Sequence, residues 1–270
     1  MSRNRMLRHI STLAIVLCLP GLAGAGLIWH SALDGDATAI IGSDGVPTGT
    51  PTAVPDLGGN PDGAVLFGGQ SDRDYYTIAP AIASASAASI SFWARPDTVD
   101  TSEDGVVAVG ASGGGSDVYF TVMNRNDRRW RVDLDDGGNR RDAVSNAAPV
   151  AGTWYHMVVT FDSNPGSSEQ LRMYIDGLLE GDVQSIGGDA APYTFTHPWL
   201  IGSERTGERF FNGAVDDVRV YDHELTQSEV LDLYESGPLY DATIIPEPSS
   251  LVLALLGLAG LRARRRRRRG

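Results

Sequence analysis

The chain has 270 residues, with 22 basic against 34 acidic side chains and a formal net charge of −12. That balance excludes a surface built to neutralise phosphate backbones or anionic lipid. The single cysteine, Cys18, excludes a disulfide framework, so a domain of this length must be held by its own core.

Arg3, Arg5 and Arg8 precede the apolar run TLAIVLCLPGLAGA, and Ala23-Gly24-Ala25 supplies the small residues of a signal-peptidase site. The expected cleavage lies between Ala25 and Gly26. Leu17, before Cys18, is not the small residue that a lipoprotein site requires. All basic residues are arginines; three lie in this leader and seven in the C-terminal tail, so twelve face 33 acids in between, a net charge of about −21. Such a surface repels nucleic acid and attracts cations.

After the leader, GSDGVPTGTPTAVPDLGGNPDG reads as a long irregular loop on its prolines and glycines. Strands are expected in AVLFGG and YYTIA. ASISFWARP alternates, with Ile90 and Phe92 on one face and Ser91 and Trp93 on the other. VVAVGA and VYFTVM flank the loop GASGGGSD, and RWRVDLD and TWYHMVVTFD follow. In QLRMYIDGLLEGDV two apolar strands flank Asp176-Gly177, a dipeptide suited to the positive φ angles of a tight hairpin turn. WLIGS and AVDDVRVYD complete the strand set. LTQSEVLDLYES predicts a helix, with Thr226 and Glu229 as a capping box, Leu225 stapled onto Val230, and Gly237-Pro238 as the stop. Many short strands with glycine-rich turns predict an all-β, two-sheet antiparallel jelly-roll sandwich with one short helix near the C-terminal end of the domain. Beyond it, Leu251 to Leu261 is apolar but falls short of the roughly 20 residues of a spanning helix. Arg264 to Arg269 would hold the end of this run on the cytoplasmic side.

Two resemblances rest on these segments. SISFWARPD, GTWYHMVVTFD, LRMYIDGLLEG and FNGAVDDVRVYDHELTQSEVLDLY, in that order, resemble the landmarks of LamG-like domains, jelly rolls of the concanavalin A-like lectin/glucanase superfamily. Pro246-Glu247-Pro248, Ser249-Ser250, the apolar run and the arginines resemble the PEP-CTERM sorting signal of Gram-negative bacteria. That second resemblance implies an exosortase-type sorting enzyme as a partner besides signal peptidase, with transient membrane anchoring before delivery to the envelope, surface or exterior. An ordinary basic anchor carrying a chance Pro-Glu-Pro is the alternative. The expected division is leader 1–25, LamG-like domain 26–243 and sorting segment 244–270.

A glucanase-like member of the superfamily would carry a Glu-x-Asp-x-x-Glu or similar run, which is absent. Asp133 and Asp135 share a face in RVDLDD but read as a solvated strand end. The Gly-x-Ser-x-Gly match at Gly110 to Gly114 falls in the glycine-rich loop GASGGGSD between two strand patterns and not at a strand-to-helix elbow, and no His-Glu-x-x-His pair occurs. The expectation is a non-enzyme.

Calcium is the cofactor to consider, with Asp74, Asp216 and Asp217 as ligands. Asp216 shares strand parity with Val218 and Val220, and Asp74 with Tyr76 and Ile78. An inward carboxylate needs a cation or several donors to offset its desolvation. Many LamG-like jelly rolls hold such an ion, and turn amides or the arginines Arg73 and Arg219 are the alternative partners.

For a saccharide ligand, Trp130, set among Arg129 and Arg131, and Trp199 are the candidate platforms. Trp29 reads as structural, and Trp93 and Trp154 fall where the resemblance implies core aromatics. The functional expectation is an exported binding or adhesion protein that recognises extracellular polysaccharide. A structural matrix or coat protein, or a module that binds another surface protein, is the rival reading, with a glycoside hydrolase behind it.

Overall fold

A computed structural model describes residues 26–79, 82–99, 104–109, 118–124, 127–189, 191–195, 197–205 and 208–238. Ala25 and the sorting motif Pro246, Glu247 and Pro248 lie outside the described residues.

Two antiparallel sheets face each other. The first runs Leu178–Ser185, Gln170–Ile175, Tyr155–Asp162, Ala87–Pro96, Asn212–Tyr221, Ala64–Gly68, Thr52–Val54, and Leu27–Ser31 pairs with the second half of Asn212–Tyr221. The second runs Arg140–Val144, Trp130–Asp136, Val118–Asn124, Asp104–Val109, Trp199–Ile201, Tyr75–Ile78, Val46–Thr48. A hairpin of Ser203–Arg205 and Glu208–Phe210 attaches to it along Asp104–Val109. This is the jelly-roll sandwich that the strand spacing predicts.

The core lies between the sheets. Ile90, Phe92, Met157, Val159 and Phe161 from the first meet Ile78, Val132, Leu134 and Ile201 from the second. Each large aliphatic or aromatic side chain buried there contributes about 1.5–3 kcal/mol, which is how a disulfide-free domain of this size is held. The alternation read in ASISFWARP is real, since Ile90 and Phe92 enter this core while Ser91 and Trp93 face the other way. Yet Ser91 and Trp93 are buried too, at 2% and 5% exposure, because the helix Gln227–Ser236 covers the outer face. Thr226 caps that helix by accepting from the Glu229 amide, and the Glu229 carboxylate reaches back to the Thr226 amide. Val230 packs with Val158, Tyr174, Tyr221 and Leu225, and Tyr234 stacks on Trp93. At the hairpin, Asp176 and Gly177 have φ of 51° and 78°, as its turn requires.

One expectation is corrected. The proline- and glycine-rich stretch taken for a loop contains two edge strands, Val46–Thr48 and Thr52–Val54. An edge position tolerates Pro47 because an outward-facing residue donates no ladder bond. The segment GASGGGSD (110–117) lies outside the described residues.

Candidate functional site

Asn212–Tyr221 runs between two neighbours and is bulged between Asp216 and Arg219, where Asp217 takes a φ of 50°. The bulge turns two consecutive carboxylates into the protein. Asp217 accepts from His30 Nε2 at 2.8 Å, from Arg219 Nε at 2.9 Å and from Arg219 Nη2 at 2.6 Å. His30 and Arg219 hold its carboxyl below the usual range against the opposing effect of burial. Both oxygens of Asp217 are therefore engaged, so its expected role as a calcium ligand is corrected to one half of a buried ion-pair cluster.

Asp216 is different. It is 2% exposed, and its Oδ2 meets no hydrogen-bond partner. Burial, and then the charges of Asp217, Asp56 and Asp34, push its carboxyl up to about 9. A buried oxygen without a donor, facing further carboxylates, fits a cation better than it fits solvent. Asp56 is itself buried and accepts from the Asn60 amide at 3.0 Å.

Asp74 does not join this group. Its Oδ1 accepts from the Thr50 amide at 2.6 Å and lies so close over Gly49 that a Cβ there would fall 2.1 Å from it. Its charge is felt at Tyr76, whose hydroxyl burial raises to about 12, with Asp36 and Asp74 adding to the shift. Asp74 thus has the turn-amide role. Among the described residues no three His, Cys, Asp or Glu side chains converge as a metal-holding group. Asp34 and Asp56 were not legible as neighbours of Asp216, since each is separated from it by more than 150 positions of chain.

The tryptophan platforms are also corrected. Trp130 and Trp199 are 1% and 2% exposed and belong to the main core. Trp130 shares parity with Val132 and Leu134, so it faces inward and sits edge-on to Tyr155, ring centroids 6.2 Å apart. The polar flanks that suggested exposure point the other way. There they form a ladder in which Arg131 bridges Asp127 and Asp142, and Arg140 bridges Asp133 and Asp142. Arg129 donates to Asp127 and to the Ser145 carbonyl. Asp133 is 1% exposed, and burial together with a shared hydrogen bond to Asp142 raises it to about 7, while Asp142 is lowered by the Asp133 hydrogen bond and by Arg140. Asp133 and Asp142 stand opposite each other in the register of the two strands, and Arg140 bridges both.

Trp154, expected in the core, is instead partly exposed. The Arg95 guanidinium carbon lies 5.4 Å from its ring centroid.

Residues 68–231 match the model of the concanavalin A-like lectin/glucanases superfamily. The chain belongs to that superfamily. Residues 245–268 match the PEP-CTERM protein-sorting motif, which marks this superfamily member for export with a C-terminal membrane-anchoring sorting signal. Among the described residues no helix is long and apolar enough to cross a membrane.

A zebrafish (Danio rerio) adhesion G-protein coupled receptor V1 is 27% identical over 151 residues, which is 54% of this chain and 2% of the receptor. The chain thus spans only a small fraction of that curated relative. Among solved structures, domain 4 of a GH43 extracellular arabinanase from Geobacillus stearothermophilus, in complex with arabinotriose, is similar with a TM-score of 0.61 at 17% identity. That match covers 77% of this chain and 98% of the arabinanase domain. The botulinum neurotoxin serotype G binding domain is similar with a TM-score of 0.59 at 15% identity, over 78% of this chain and 51% of the other. At these identities the structural matches speak to the superfamily fold.

Proposed function

We propose that this is a non-catalytic, exported binding module that recognises extracellular polysaccharide, with a calcium ion held at Asp216. The observation that carries the calcium part is the Asp216 Oδ2, buried beside other carboxylates and facing no donor. The likeness to a domain in complex with arabinotriose, covering nearly all of that domain, supports a self-contained saccharide-binding unit. The bridging of Asp133 and Asp142 by Arg140 supports a non-catalytic role, since it engages the carboxylates that come nearest to a pair. Bound calcium would neutralise the Asp216 carboxylate and tie the bulged strand to the segment carrying Asp34 and Asp56.

The leader is cut between Ala25 and Gly26. Strand Leu27–Ser31 starts one residue after that bond, and the Gly26 carbonyl accepts from the Asp222 amide at 3.0 Å, so the cut leaves the fold whole. The sorting enzyme acts on the segment from 244, around Pro246, Glu247 and Pro248. Binding to another surface protein is the second reading, favoured by the likeness to an adhesion receptor.

The test is a titration of the exported protein against a polysaccharide panel, with calcium and with chelator. Binding that needs calcium supports the proposal. Binding to no polysaccharide in either condition overturns it in favour of protein adhesion or a structural role.

A further inference from the structure

Five tryptophans occur in the chain. Trp29, Trp93, Trp130 and Trp199 are each 5% exposed or less, and Trp154 is the one that reaches the surface. It stands just before strand Tyr155–Asp162, at the end of the sandwich where Ala87–Pro96 also ends, since Tyr155 pairs with Ala94. Arg95 lies over its ring at 5.4 Å and donates through Nε to Asp97 Oδ1 at 3.0 Å. The turn leading into Trp154 is pinned at three points. The Gly152 amide donates to the Pro96 carbonyl at 2.7 Å, the Thr153 amide to the Val150 carbonyl at 3.2 Å, and the Val150 amide to the Tyr155 hydroxyl at 2.8 Å. Val150 is 63% exposed, and a Cβ placed on Gly152 would meet nothing within 4 Å, so the turn that leads into Trp154 is open to solvent.

We propose that Trp154, Arg95 and Asp97 form a stacking subsite for a neutral sugar unit at this end of the sandwich. This rests on the polysaccharide reading above and names where and what it binds. A fixed indole presents a flat apolar surface to the C–H face of a sugar ring. The forked donors of Arg95 and the acceptor oxygens of Asp97 suit the hydroxyls on its rim. Asp97 already neutralises Arg95, so the subsite offers no net positive charge to a uronate.

The experiment is acrylamide quenching of tryptophan fluorescence in the exported protein, alone and with laminarin, arabinan, xyloglucan or alginate. Affinities are measured in parallel for the unaltered protein and for Trp154→Ala and Arg95→Ala. In the free protein one accessible emitter is expected, absent from Trp154→Ala. A neutral polysaccharide should protect it, and Trp154→Ala should weaken that binding at least tenfold. Protection is read on the unaltered protein, so a folding defect in a variant does not decide the matter. Binding of a neutral polysaccharide without protection of Trp154 overturns the subsite and leaves the polysaccharide reading standing. Protection by alginate alone overturns the assignment to neutral sugar. Binding of none of the four overturns the polysaccharide reading, and the subsite with it.

Discussion

Asp216 and Asp217 are chain neighbours, both buried, and their carboxyls are pushed in opposite directions. Asp217 is lowered by His30 and Arg219, whereas Asp216 is raised to about 9 by burial and by the acids around it. The difference lies in partners and not in depth. The same bulge delivers one carboxylate to Arg219 and His30 and leaves the other among further acids.

For Asp216 the folded pKa, about 9, is above the unfolded value of about 3.9. Between those limits the folded state holds the extra proton, so without metal this group makes stability fall as pH rises from about 4 to 9, by up to about 1.4 kcal/mol per pH unit. Asp216→Asn should flatten that dependence and raise the chelated protein's Tm at pH 8. Calcium should raise the Tm of the unaltered protein more at pH 8 than at pH 5, and should not raise that of the variant. Calorimetry with chelator and with calcium measures both.

Asp217→Ala strips Arg219, 6% exposed, and His30, 3% exposed, of their shared carboxylate. Leaving a buried guanidinium unpaired costs about 3–5 kcal/mol, which urea unfolding would register. Asp217→Asn should cost less, because asparagine also tolerates the left-handed φ of 50° and keeps an acceptor.

His156 lies under the helix, hydrogen-bonded to Ser91 Oγ at 3.0 Å, tilted against Trp93 and stacked on Tyr234, which also stacks on Trp93. Burial first, with Arg219 adding, lowers its pKa to about 4, against the opposing charge of Asp217. The folded state therefore resists a proton that the unfolded chain accepts near 6.5. The resulting stabilisation is full above about pH 6.5 and is lost as pH falls towards 4. His156→Gln should remove that part of the acid sensitivity, read as a smaller Tm drop between pH 7 and pH 4.

Trp130→Ala should cost about 3–5 kcal/mol, because it empties a filled core position against Tyr155. Trp130→Phe should cost less, and polysaccharide affinity of either folded variant should stay within about twofold of the parent. A selective loss of affinity in Trp130→Phe, without loss of stability, would return this residue to the binding surface.

The elements set by local chemistry were legible in the chain itself. Asp176-Gly177 marks its hairpin because the turn geometry demands those residue types. Thr226 and Glu229 mark the helix start because their side chains satisfy amides within one turn. At Trp130 alternation overrides the polarity of Arg129 and Arg131, since parity with Val132 and Leu134 places the indole inside. Trp154 goes the other way. It stands one residue before its strand begins, where the pleat no longer decides which way a side chain points. That Asp34 and Asp56 act on Asp216 was beyond any local pattern, because it depends on which loops the sandwich brings together.

The last strand has a mechanical consequence. Asn212–Tyr221 is bonded along one side to Ala87–Pro96 and along the other to Ala64–Gly68 and Leu27–Ser31. Tension from a tether beyond residue 238 therefore enters first through the helix Gln227–Ser236 and then through this strand. The helix, held mainly by side-chain packing, detaches first and gives up its length as slack. The strand behind it then resists as two parallel seams sheared at once, in the middle of the sheet, where no single row of bonds can be unzipped from a free margin.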